Sequence, residues 1–181
     1  MRSFISDQAI VLKKYKLKES TSSIILFSRT QGKIRLNGYG IRSITSKRLA
    51  HLETGNYIKV SYAKNGDYLN LGETELVWGF SKIKNSSHKL DLFYQYLFVL
   101  EKLLPEDHPE PELFKRAISY LRTINNAAES DPFTSNQKSM FSRVLLSLGY
   151  IDIPLASQPL FEPTHFIEEL LGRKIPQLGS K

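Results

Sequence analysis

The sequence predicts an α+β protein: a five-stranded β-barrel over residues 1–80, followed by a small all-α domain over residues 81–181. Three observations carry this. The first 80 residues hold five short apolar or alternating runs, each bounded by turn residues. After Phe80 the apolar positions recur at three- and four-residue spacing. The surplus of positive charge is confined to the first part, which sets the two apart as modules.

The strands follow in order. Ala9–Lys16 starts with the aliphatic run AIVL and ends in KKYK. Ser22–Ser28, SSIILFS, is a second apolar run. Lys33–Asn37 alternates, with Ile34 and Leu36 on one face and Lys33, Arg35 and Asn37 on the other. Tyr57–Lys64 alternates again, setting Ile58, Val60 and Tyr62 opposite Tyr57, Lys59 and Ser61. Leu69–Val77 closes the set. Gln31-Gly32, Gly38–Gly40 and Thr54–Asn56 supply turns, and Asn65-Gly66-Asp67 reads as a tight hairpin because Asn and Gly tolerate positive φ. Five short strands in about 75 residues favour a small closed barrel. Ser43–Leu52, a polar stretch between the third and fourth strands, reads as a short helix or an ordered loop, at the place where oligonucleotide-binding (OB) barrels carry a helix.

The second part reads as helices. Ser81–His88 is a polar linker. Leu90, Phe93, Leu97, Leu100 and Leu104 mark one apolar face, with Ser86 or Ser87 as cap and Pro105 as stop. Pro105–Pro111 reads as a loop, Glu112–Ile124 as a second helix, and Thr134–Leu148, ended by Gly149, as a third. Glu162–Leu171 is a short fourth, with Thr164 as cap and Gly172 as stop.

Residues 1–80 carry 13 Lys and Arg against six Asp and Glu, whereas residues 81–181 carry 12 of each. Such asymmetry points to an N-terminal module that meets a polyanion. The chain has no cysteine, which excludes disulfides, a thiol nucleophile and a thiolate zinc site. His51, His88, His108 and His165 form no metal-binding pair. There is no phosphate-binding glycine loop and no nucleophile elbow, and the acidic pairs Glu106-Asp107 and Glu168-Glu169 are sequence neighbours that share no helix face. The expectation is a non-enzyme with no cofactor, no metal and no small-molecule substrate. No apolar run has membrane-spanning length and no secretory leader stands at the N-terminus, so a cytoplasmic, nucleoid-associated location is expected.

A single nucleic-acid strand is held by a basic groove tracking its phosphates and by aromatic rings on which bases stack. The residue types for that job are Lys13, Lys14 and Lys16 on the first strand, Lys33 and Arg35 on the third, Arg42, Lys47 and Arg48 in the following loop, and Lys59 on the fourth. Tyr15, Tyr39, Tyr57 and Tyr68 are interleaved among them, with Tyr39 and Tyr57 as the candidate platforms. Composition alone fits single-stranded DNA or RNA equally.

The run from Ala9 to Val60 resembles the N-terminal barrel of the RecO family at Ala9–Leu12, Glu19, Leu26, Phe27, Thr30, Gly32, Arg35, Gly40, Arg42, Ser46 and Lys47. A second match is MFSRVLLSLGY, Met140–Tyr150, which is similar to that family's FELRLLxxLGY segment at Arg143, Leu145, Leu148, Gly149 and Tyr150. The resemblance covers about residues 5–150. It departs at Tyr39, where the family usually has lysine, and at Ser43 and Thr45, where it is more basic. Many members bind zinc through four cysteines after the LGY segment; with Ile151–Pro163 there instead, no zinc is expected. The resemblance implies an OB-fold protein that binds single- and double-stranded DNA and anneals complementary strands. It further implies work with RecR to load RecA onto DNA coated by single-stranded DNA-binding protein (SSB). Docking of the SSB C-terminal tail on the helical domain would fall to Lys115, Arg116 and Arg122. The competing readings are an RNA-binding barrel linked to translation and a non-enzymatic adaptor meeting acidic protein or lipid.

Overall fold

A computed structural model describes residues 4–18, 20–41, 47–128 and 133–178; for Lys47, Lys84 and residues 133–136 it describes the backbone alone. Five strands form a closed barrel: β1 (Phe4–Lys16), β2 (Thr21–Ser28), β3 (Gly32–Tyr39), β4 (Tyr57–Asn65) and β5 (Tyr68–Trp78), in the order β1-β2-β3-β5-β4. All neighbours pair antiparallel except β3 and β5, which are parallel and share only the pairs Leu36–Leu69 and Asn37–Asn70. A short helix, α1 (Lys47–His51), lies between β3 and β4, the first of the two forms open to the polar segment there, whose residues 43–46 lie outside the described ones. The fold is the OB barrel with helices after it.

The interior is packed by Ala9, Val11, Ile24, Leu26, Ile34, Leu36, Ile41, Leu52, Ile58, Val60, Tyr62 and Leu71. These are mostly the alternating inward positions of the five strands, so burial fixes the register. Strand β1 is longer than the run Ala9–Lys16 predicts. Its first half pairs with β4 and its second with β2, and the register shifts between Val11 and Lys13. Leu12 is therefore the extra residue of a β-bulge, the device that lets one strand bend and serve two neighbours. The α1–β4 turn closes onto it: Gly55 N–H donates to the Val11 carbonyl at 2.7 Å, and Val11 N–H to that of Asn56 at 2.9 Å. The β4–β5 hairpin is the expected tight turn, with Gly66 at φ 60° and Asn65 facing Tyr68.

The chain divides into two compact units. One is Met1–Phe80 together with Pro105–Ile118; the other is Ser81–Leu104 together with Ser119–Lys181. The division thus departs from a single cut after residue 80. Residues 105–118 return to the barrel because β2 and β4 leave aromatic surface on their outer faces. Phe114 covers it, its ring centroid 5.3 Å from Phe27 and 6.1 Å from Tyr57. Asp107 N–H also donates to the Lys33 carbonyl, at 3.1 Å.

The second unit contains α2 (Ser87–Leu103), α4 (Phe133–Ser147), α5 (Ile153–Ala156), α6 (Pro163–Leu171) and the later part of α3 (Pro111–Asn126). Ser86 caps α2 by accepting from Lys89 N–H. Leu92, Tyr96, Val99 and Leu100 of α2 are buried, as are Leu121, Phe141, Val144 and Ile167, and Tyr96 meets Tyr120 edge-on at 4.6 Å. Gly149, at φ 73°, ends α4, with Tyr150 N–H returning to the Leu145 carbonyl. Three expectations are corrected. The linker holds a 3-10 turn, Lys82–Asn85, because Ile83 is apolar enough to be buried. The short α5, capped by Asp152, was not foreseen. Thr164 lies inside α6: Pro163 occupies the first turn, where a missing N–H costs nothing, so Glu162 is the capping position.

Candidate nucleic-acid interface

The register places Lys13, Ile25 and Arg35 in one row across β1, β2 and β3, and Tyr15, Ser23 and Asn37 in the next. Paired residues share a face, and Lys13 and Arg35 are exposed, so this is the outer face of the barrel. Arg35 Nη1 donates to the Tyr15 hydroxyl at 2.6 Å. Lys13 Nζ and Arg35 Cζ each stand 6.0 Å from the centre of the Tyr15 ring. Two cations and a phenol thus form one cluster that reaches from β1 to β3 across β2, and Tyr39, at the end of β3, is 56 % exposed. Lys16 ends β1 and is exposed.

Arg35 also lines a cleft of about 660 Å³. It opens where β3 and β5, joined by only two residue pairs, diverge. Lys33, Arg35 and Asn37 come from β3; Lys64, Asp67, Tyr68 and Leu69 from the β4–β5 hairpin; Leu17 from the end of β1; and Glu106 and Asp107 from the returning segment. Tyr68 is 66 % exposed. An OB barrel takes its ligands across strands two and three, between the β1–β2 and β4–β5 loops; this cleft shares β3 and the β4–β5 loop with that surface, while β2 contributes no residue to it.

Other sequence candidates are placed differently. Lys14 pairs with Ile24, an interior position, and its Nζ donates to the Leu49 carbonyl at 3.4 Å. Burial pushes its pKa down, partly offset by Glu53. Tyr57 packs on Phe114 and donates to Gln8 Oε1 at 2.8 Å, so its ring is a wall rather than an open platform. Lys59 sits between Gln8 and Glu75 on the β1–β4–β5 surface, paired with Glu75 at 3.2 Å, in a different row from Arg35. Arg48 reaches the Gly72 and Tyr39 carbonyls, both at 3.4 Å, and staples β5 to the end of β3. Arg42 and the side chain of Lys47 lie outside the described residues. On α3, Lys115 pairs with Glu112 at 2.6 Å and, like Arg116, is exposed in the first unit, while Arg122 belongs to the second.

Lys64 and Asn37 are not among the sequence candidates, whereas Tyr15 and Tyr68 are two of the four interleaved aromatics. The signal for Lys64 and Tyr68 was available: both flank a two-residue hairpin, which holds them at a loop tip beside the barrel face.

Among the described residues no group of three or more His, Asp or Glu is arranged to hold a metal ion. Among them, too, no helix is long and apolar enough to cross a membrane.

Residues 1–80 match the family model described as Recombination protein O N terminal. The chain is 28 % identical over 138 residues to the DNA repair protein RecO of Ralstonia nicotianae, covering 76 % of this chain and 48 % of that one. It is 32 % identical over 145 residues to the DNA repair protein RecO of Acidithiobacillus ferrooxidans, covering 80 % and 54 %. A third, the DNA repair protein RecO of Cutibacterium acnes, is 26 % identical over 128 residues, covering 70 % and 52 %. The chain spans about half the length of the curated relatives it matches.

Proposed function

Because the chain belongs to the RecO family of DNA repair proteins, we propose that its barrel grips DNA by the backbone and promotes the pairing of complementary strands, with no bond made or broken. The observation that carries this reading is the cluster of Lys13, Tyr15 and Arg35 running into the cleft that Arg35 also lines. Phosphates meet the cations of β1 and β3, and bases stack on exposed rings such as Tyr68 and Tyr39. Stacking is worth about 1–3 kcal/mol per base and is indifferent to sequence. Screening of phosphate charge by the basic face lowers the repulsion between two strands, which is the physical requirement for annealing.

In this reading the protein binds both single- and double-stranded DNA and acts with RecR to help RecA onto SSB-coated strands. Of Lys115, Arg116 and Arg122, the first two lie in the barrel unit, so Arg122 is the candidate contact for the acidic SSB tail on the helical unit. The test is strand annealing with complementary DNA oligonucleotides, together with a pull-down against RecR. Acceleration of annealing and capture of RecR are expected. Failure of both removes the mediator role.

A further inference from the structure

The cleft carries a wall that phosphate binding does not call for. Asp67, Glu106 and Asp107 line it along with Lys33, Arg35 and Lys64, so carboxylates and cations are equal in number there. The Glu106-Asp107 part is held in place by unusual backbone. Asp107 is the one non-glycine residue with positive φ among those described, at 54°. Its N–H is bonded to the Lys33 carbonyl, and Glu106 forms a β-bridge with Lys33. Gly32, at φ 75°, admits the chain so closely that a Cβ there would lie 1.9 Å from the His108 carbonyl oxygen. Backbone strain of this kind persists where surrounding structure enforces it.

The wall borders the cleft without filling it, since about 660 Å³ stays open. Tyr62 also lines the cleft, with its hydroxyl buried beside Asp7 and Ser28. Burial, helped by the nearby Asp7, pushes its pKa up to about 12, so it stays protonated. The cleft therefore offers cations for an anion and carboxylate acceptors for a donor. A nucleotide has that mixed chemistry, with a phosphate at one end and a base edge at the other.

Resting on the strand-binding reading above, we propose that the cleft selects bases bearing an exocyclic amine over thymine, with Glu106 and Asp107 accepting from the amine. Adenine, cytosine and guanine each present an NH₂ group, and a carboxylate accepting from cytosine N4 is an established pairing. Thymine has one donor, N3–H, flanked by two carbonyl oxygens that a carboxylate repels. The phosphate lies toward Lys33 and Arg35, the base edge toward the acid wall.

The experiment is fluorescence anisotropy of the full chain with labelled oligo-dC and oligo-dT of about 16 nucleotides, the upper site size of an OB fold. The wild type is expected to bind oligo-dC about tenfold more tightly, the scale of one good base-edge pair. The double variant Glu106→Gln, Asp107→Asn, which keeps side-chain size and suits the left-handed backbone, should erase the preference while still binding oligo-dT. Glu112→Gln, on α3 and outside the cleft, should leave the preference intact. Equal wild-type affinities for the two oligomers overturn the inference alone. So does a double variant that tightens both equally, which marks the wall as an electrostatic barrier. Failure to bind either oligomer overturns the strand-binding reading with it.

Discussion

At the scale of single residues, the barrel sorts its lysines and arginines into different jobs. Arg35 sits in both the Tyr15 cluster and the cleft, so it is the residue whose loss matters most. Arg35→Ala should weaken binding to single-stranded DNA and reduce the salt slope, d log K/d log[salt], by about 0.7 for each phosphate no longer neutralised. Lys59→Ala should leave both unchanged, because Lys59 is paired with Glu75 in another row; anisotropy over a salt series reads the difference. Lys14 makes a separate prediction. Burial holds its folded-state pKa below the ordinary lysine value. Between those two values the unfolded chain binds more protons, so Lys14's share of stability rises with pH across that window. Lys14→Met should therefore raise the melting temperature at neutral pH and flatten its rise toward alkaline pH, with little change in DNA affinity.

At the scale of elements, the five strands and four main helices were legible because period-two and period-3.6 patterns are strong and their stops are chemically specific. Gly149 and Gly172 fell where helices end. The faces of β1 were not legible. Simple alternation from Ala9 puts Val11, Lys13 and Tyr15 on one side and Lys14 and Lys16 on the other. The bulge at Leu12 reverses the second half, turning Lys13 and Tyr15 outward and Lys14 inward. Nothing in AIVLKKYK announces that extra residue. Tyr57 was misjudged as a platform because its cover, Phe114, is remote in sequence. Phe114→Ala should destabilise the barrel unit by about 3–5 kcal/mol, the range for truncating a buried aromatic, read as a lower denaturation midpoint. Gly32→Ala, which forces both a positive-φ side chain and a clash with His108, should cost about 1–3 kcal/mol from backbone strain alone. It should also free the acid wall from β3, seen as faster amide exchange at Asp107.

At the scale of the whole molecule, charge and topology divide the labour differently. Charge puts the entire cationic surplus in residues 1–80, whereas the compact barrel unit also needs Pro105–Ile118. A fragment ending at Phe80 lacks Phe114, so Phe27 and Tyr57 are left uncovered. That fragment should bind an apolar dye and melt below the full chain while retaining salt-sensitive DNA binding. Residues 81–181, with 12 charges of each sign, should bind DNA weakly or not at all.

The central claim is a cationic track along β1 and β3 that holds a nucleic-acid backbone. The most direct measurement compares wild type with the Lys13→Ala, Arg35→Ala double variant, by anisotropy against a single strand over a range of salt. A track of this kind predicts that log K falls linearly with log[salt] in both proteins, with the variant's slope shallower by about 1.4, two phosphates at about 0.7 each. Identical affinities and slopes for the two proteins would contradict it.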